Sequence, residues 1–125
     1  MTEAIVTITD LDSQNPNIIA KAVKIKGQLD ESNVDEKAKD IYKVLESVPT
    51  GKHVNLLFDF AELDYMNSKS IGYLTDWYSR ITTDGGKICI AGPKENIVDI
   101  LQVVGLTQLV TCYQNFDEAK AYVLS

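Results

Sequence analysis

The sequence predicts an α/β domain on a mixed, mostly parallel β-sheet, and three observations carry that expectation. Strand-like and helix-like patterns alternate from about residue 30 onward, which implies right-handed crossovers between parallel neighbours. The first two strand-like runs are separated only by residues 10–17, too few for a crossover helix, so they should return as an antiparallel hairpin. The chain has 125 residues, 45% of them hydrophobic and 24% charged, which suits a single core and one domain over 1–125.

Residues 4–9 alternate and are rich in Ile, Val and Thr, the pattern of a strand. Residues 10–17 are polar and hold Pro16, as a turn requires, and residues 18–25 form the second strand. After Gly27-Gln28-Leu29-Asp30, a helix start is marked by Asn33 with Glu36, or by Ser32 with Asp35, both of capping-box type. Val34, Ala38, Ile41, Leu45 and Val48 then recur at helical spacing until Pro49-Thr50-Gly51 stops the helix. Residues 54–60 are almost continuously apolar, as in a strand covered on both faces.

A loop over 61–67 leads into a helix over 68–82 with the stripe Ile71, Leu74, Tyr78 and Ile81. Asp84-Gly85-Gly86 turns the chain into a strand over 87–91. Gly92-Pro93 opens a third helix, with Ile97, Ile100, Leu101 and Val104 on its stripe and Gly105 ending it. A short strand over 109–113 and a helix over 116–124 complete the order β-β-α-β-α-β-α-β-α, with about four helices.

Charge and composition narrow the function. A formal charge of −6 lacks the basic patch that nucleic acid or an anionic membrane surface would demand. No apolar run approaches the ~20 residues that cross a bilayer. Met1-Thr2-Glu3-Ala4 carries no basic segment of a signal peptide, so a cytoplasmic location is expected. Cys89 and Cys112 fall in apolar strand-like runs and read as buried reduced thiols. With His53 the only histidine and no Cys-x-x-Cys spacing, no metal is expected. No glycine-rich phosphate loop points to a nucleotide, and no cofactor is expected. The Lys37, Lys39, Lys43, Glu36, Asp40 and Glu46 set reads as a solvated helix face.

Gly27-Gln28-Leu29-Asp30 and the run from Leu56 through Phe58-Asp59-Phe60 to Asp64-Tyr65-Met66-Asn67-Ser68-Lys69-Ser70-Ile71-Gly72 resemble the STAS family, of the anti-sigma-factor-antagonist type. That family has Gly-Glu-Leu-Asp after its second strand and Asp-Ser-(Ser/Thr)-Gly-(Leu/Ile)-Gly opening a helix. Gly85-Gly86-Lys87 and Val104-Gly105-Leu106 sit where it has similar residues, so the likeness runs from Ile18 onward. The resemblance implies a switch protein and not an enzyme. The unphosphorylated domain would bind an anti-sigma factor that is itself a serine kinase, phosphorylation would release it, and a serine phosphatase would reset it.

The resemblance places the phosphorylated residue at Ser68. Here Asn67 stands for the family's Asp, Lys69 for the next small residue and Ser70 for a Gly, which makes Ser70 a second candidate. Asp30 should share a surface with Ser68, since both follow neighbouring strands, and it reads equally as a turn aspartate. Tyr73 and Trp77, four apart on the helix, are expected to be partly exposed. Asp30, Asn67, Ser68, Lys69, Tyr73 and Trp77 then form the expected partner surface. Ser68 or Asn67 also reads simply as a helix cap, and Asp59 as an acceptor for loop amides.

Two enzyme-like alternatives fail on spacing. A serine hydrolase needs a base beside Ser68, but His53 begins a strand spanning ~20 Å whose far end leads toward it. A phospho-accepting aspartate site from Asp10, Asp12 and Asp59 belongs to a fold with a helix between its first two strands. The other open reading is a STAS domain acting as a non-phosphorylated scaffold or small-molecule sensor.

Overall fold

The computed structural model describes residues 3–125; Met1 and Thr2, part of the N-terminal stretch read for a signal segment and of the 1–125 span, lie outside the described residues. Strands β1 (Ala4–Leu11) and β2 (Ile18–Leu29) form the expected antiparallel hairpin, in register from Ala4 opposite Gly27 to Leu11 opposite Ala20. Helix α1 (Val34–Glu46) then leads to β3 (His53–Asp59), which lies parallel to the first half of β2. A short strand β4 (Leu63–Met66) follows, then α2 (Ser68–Thr83), β5 (Ile88–Ala91) and α3 (Glu95–Val103). A 3-10 turn (Leu106–Gln108), β6 (Thr111–Tyr113) and α4 (Phe116–Leu124) complete the chain. The sheet order is β1-β2-β3-β5-β6, parallel except for the hairpin, with β4 paired to the far end of β2.

β4 was expected to be loop. Its four residues carry no sustained alternation: Leu63 and Met66 are buried while Asp64 and Tyr65 face water. It becomes a strand because β2 runs on past the predicted end at residue 25 and offers free edge at Gly27, Gln28 and Leu29. Gly27 makes this handover possible. It adopts φ +102°, and a Cβ there would lie 2.2 Å from the Glu3 carbonyl oxygen. Its N–H donates to Glu62 O at 3.0 Å, and, with β3 pairing ended at Lys24, the new pairing with β4 starts at Gly27 and shifts register between Gly27 and Gln28. Gly86 plays the corresponding part after α2, where a Cβ would come 2.1 Å from Val54 O.

The sheet separates two apolar clusters. Val23, Ile25, Leu56, Phe58, Ile88 and Ile90 pack with residues of α1, α2 and α3 on one side. Leu57, Cys89 and Ala91 meet Ala119 and Val123 of α4 on the other. Asn55, 2% exposed, is satisfied between them: its Nδ2 donates to Val123 O at 2.7 Å and its Oδ1 accepts from Lys87 N at 2.8 Å. Cys89 is buried and Cys112 partly so, both free thiols, and burial pushes the Cys89 thiol up to about 12.

The helices sit slightly rotated from the sequence expectation. In α2 the buried positions are Ser70, Leu74, Trp77 and Ile81, whereas Ile71 and Tyr78 lie at the margin. Trp77 is 4% exposed, which corrects its expected partial exposure. Its ring stacks on Phe58 (centroids 5.4 Å, 9° between planes), so the largest side chain of the helix sets which face turns inward. In α3, Ile97 and Leu101 are buried but Val104, expected on the same stripe, is 51% exposed at the helix end. The last strand is three residues long and not five, because Leu109 N and Val110 N are still turned back onto Leu106 O after the 3-10 turn.

Trp77 is the chain's only tryptophan. Replacing a buried aromatic by alanine costs about 3–5 kcal/mol. Trp77→Ala is therefore expected to lower stability by that amount in urea unfolding followed by circular dichroism. A loss below about 1 kcal/mol would return Trp77 to the surface the sequence assigned it.

Candidate functional site

The site lies where the ends of β2 and β4 feed α1 and α2. Leu29 and Met66 are paired across the two strands, and Asn67 N donates to Leu29 O at 3.0 Å. Asp30 and Ser68 are the residues that follow the two partners of that bond, at the adjoining ends of β2 and β4. Ser68 is reached from β4, where a loop over 61–67 was expected to lead from the apolar strand β3.

Asn67 is the N-cap of α2. Its Oδ1 accepts from Ser70 N at 2.9 Å and from Ser70 Oγ at 2.6 Å. The cap is therefore Asn67 and not Ser68. Ser68 is the first helical residue, exposed, and its hydroxyl makes no hydrogen bond among the described residues. Ser70 is 2% exposed and spends its hydroxyl on Asn67. As the second candidate for modification it is closed off, because the first turn of α2 folds it inward. No acidic residue occupies that first turn.

The α1 side is equally ordered. Asp30 Oδ1 accepts from Ser32 N at 2.9 Å and Ser32 Oγ at 2.6 Å, while Asn33 bridges Asp30 N (3.1 Å) and Gln28 O (2.9 Å). Neither expected capping box forms, since Asn33, the actual N-cap of α1, uses its amide to hold this loop. Asp30 thus serves as the turn residue the sequence allowed, beside Ser68.

Lys69 and Tyr73 point to α1. Lys69 Nζ lies 2.9 Å from the Asp35 carboxylate, and Tyr73 donates its hydroxyl to Asp35 Oδ1 at 2.6 Å. The Tyr73 hydroxyl and then the Lys69 ammonium hold the Asp35 carboxyl below the usual carboxylate range; the same carboxylate raises both Tyr73 and Lys69. The Tyr73 ring stacks on Trp77 at 5.9 Å, and Tyr42 of α1 meets both edge-on. The aromatic pair expected on the partner surface is therefore mainly a core feature, with only the rim of Tyr73 outside.

Sequence reasoning missed Asp35 as the partner of Lys69 and Tyr73. It also missed Tyr65, 44% exposed on β4, and the Asp64–Lys94 ion pair beside it, where Asn96 Nδ2 donates to Asp64 O at 2.7 Å. These contacts join segments some 30 or more residues apart and leave no local signature; an exposed tyrosine three residues before Ser68 was the one visible sign.

The enzyme-like alternatives remain apart in space. His53 packs beside Gly85, past the C-terminal end of α2, while Ser68 begins that helix. Sixteen helical residues separate the two by about 24 Å. Asp10 lies opposite Lys21 and pairs with it at 2.5 Å, whereas Asp59 lies opposite Lys24 and accepts from Ala61 N at 3.1 Å. The antiparallel course of β1 sends Asp10 and Asp12 away from the Asp59 end of the sheet. Among the described residues no three His, Cys, Asp or Glu groups are placed to hold a metal ion, and no helix is long and apolar enough to cross a membrane.

Comparison with known proteins gives one consistent picture. A family model described as the STAS domain matches residues 12–119. The solved structure of the anti-sigma factor antagonist SpoIIAA in its unphosphorylated form is similar at TM-score 0.75 and 16% identity, covering 95% of this chain and 96% of that one. An anti-sigma factor antagonist from Mycobacterium paratuberculosis is similar at 0.73 and 17%, over 95% and 96% of the two chains. The STAS domain of a SulP transporter from Vibrio cholerae is similar at 0.70 and 17%, over 90% and 84%. Comparison with curated proteins by sequence gave no match. The structural likeness speaks to the fold alone, and the family match spans most of the sequence: the chain belongs to the STAS domain family.

Proposed function

We propose that this domain is an anti-sigma factor antagonist that binds an anti-sigma factor serine kinase through the Ser68 surface and is released when Ser68 is phosphorylated. The observation that carries this reading is the division of labour at the mouth of α2. Asn67 takes the capping bond and leaves the Ser68 hydroxyl exposed and, among the described residues, uncommitted, next to the Asp30 loop. A kinase would move the γ-phosphoryl group of ATP to Ser68 Oγ, with ADP leaving and the hydroxyl proton lost; a phosphatase would return it to water. The domain itself performs no chemistry in this reading, and the reaction would take place in the cytoplasm.

A phosphate on the first helical residue gains from the unpaired backbone N–H groups and the helix dipole. The fold therefore tolerates it. At an interface it adds ~1.5–2 negative charges and a hydrated group that a fitted partner must desolvate. Asp30, Asn67 and Lys69 surround Ser68 as the expected recognition residues, with Tyr73 contributing its rim. A second reading, a non-phosphorylated scaffold or sensor, is favoured by the likeness to a transporter's STAS domain.

Incubation with candidate anti-sigma kinases and ATP, followed by phosphopeptide mapping, is expected to place phosphate on Ser68 and none in Ser68→Ala. Protein that stays unmodified while binding its partner tightly would instead support the scaffold. Ser68→Asp is expected to weaken partner binding more than tenfold (~1.4 kcal/mol) with an unchanged thermal midpoint. Equal affinity of mutant and wild type would sink the switch.

A further inference from the structure

Lys69 is one residue beyond Ser68, yet its ammonium is spent on α1. It contacts Asp35 at 2.9 Å, and the same carboxylate holds the Tyr73 hydroxyl at 2.6 Å. These contacts form an exposed polar tie between the first turn of α1 and the first two turns of α2, with the two side chains of the ion pair about half accessible. Lys39 also acts on Asp35, and Glu31 on Lys69. Exposed pairs of this kind are weak enough to be exchanged for a better partner.

We infer that a phosphate on Ser68 takes Lys69 away from Asp35, so that modification at the mouth of α2 unfastens the tie to α1. This inference rests on Ser68 as the modified residue. Adjacent residues on a helix diverge by about 100°, so Lys69 cannot serve Asp35 and an Ser68 phosphate at once in its present pose. Its flexible four-carbon stem allows it to swing back. The competition is uneven. A phosphate dianion carries more charge than a carboxylate and offers three acceptor oxygens. Asp35 also keeps a hydrogen bond from Tyr73 after Lys69 leaves, which makes the exchange less costly. Binding surface beyond Ser68 then changes with the modification: Asp35 gains net negative charge at the start of α1 while Lys69 is drawn toward the phosphate.

The test uses full-length protein carrying phosphoserine at position 68 installed during synthesis, with and without Lys69→Met. The phosphate is titrated by phosphorus NMR and the Asp35 carboxyl by carbon NMR. The phosphate is expected to lose its last proton at a pH lower by a few tenths of a unit when Lys69 is present, the scale of an exposed ion pair. Asp35, held low in the unmodified protein, is expected to rise on modification, and by more with Lys69 than in Lys69→Met, where only the bare repulsion of the phosphate acts. Identical phosphate titrations and identical Asp35 rises in the two proteins would overturn the inference. Because no kinase is involved, a domain that kinases ignore leaves this result standing, and failure here leaves Ser68 intact as a kinase substrate.

Discussion

The architecture depends on the way β2 is shared by two partners in succession. Its first seven residues pair with β3 and its last three with β4, and the change of partner occurs at Gly27. A side chain at that position would collide with the Glu3 carbonyl, where β1 closes over the sheet. From this handover follow the pairing of Leu29 with Met66, the bond from Asn67 to the Leu29 carbonyl, and hence the meeting of Asp30 and Ser68. The site is thus a consequence of strand register. Its precision comes from backbone hydrogen bonds, which are harder to displace than long surface side chains.

A second layer fixes the helices that frame the site. Phe58 on the sheet, Trp77 and Tyr73 on α2, and Tyr42 on α1 form a continuous aromatic column with centroids 5.4–6.1 Å apart. The column begins in the core and ends at hydroxyls in contact with carboxylates: Tyr73 with Asp35, and Tyr42 with Asp76 at 2.5 Å. Desolvation, then the Asp76 hydrogen bond, push the Tyr42 phenol up to about 12, so it remains a donor at any physiological pH. Buried ring contacts join α1 and α2 to the sheet, and the two hydroxyl–carboxylate bonds lie at the outer end of the column. The polar groups at the rim can therefore rearrange without disturbing the column beneath.

How much of this could be read from sequence depends on the range of the interaction. The hairpin, the parallel core strands and the helix starting at Ser68 follow from local spacing, and the structure contains all of them. Leu63–Met66 did not announce itself, because a four-residue strand whose two middle residues face water has no period to detect. Trp77 was misplaced since a helical stripe drawn from Ile71 and Tyr78 differs by one residue from the stripe that packs, and only the position of Phe58 decides between them. Asp35 looked like a capping residue; its partners come from 34 and 38 residues away. Local chemistry located the mouth of α2, and tertiary contacts decided what surrounds it.

The departure that matters most at this mouth is the neutral Asn67. Asparagine and aspartate are nearly equivalent as N-caps, so the backbone geometry at Ser68 does not require a carboxylate. What the amide changes is charge. With Asn67 neutral and no acid in the first turn, the partial positive charge of the α2 terminus is offset by no residue of its own helix start. Lys69, the cation of that first turn, is directed to Asp35 on another element. A negative group arriving at Ser68 would therefore meet a helix terminus with no carboxylate in its own first turn and Lys69 one residue on, with Asp30 of the neighbouring loop as the carboxylate beside it. The amide that departs from the family pattern thus keeps the cap of α2 while leaving its terminus without a carboxylate of its own.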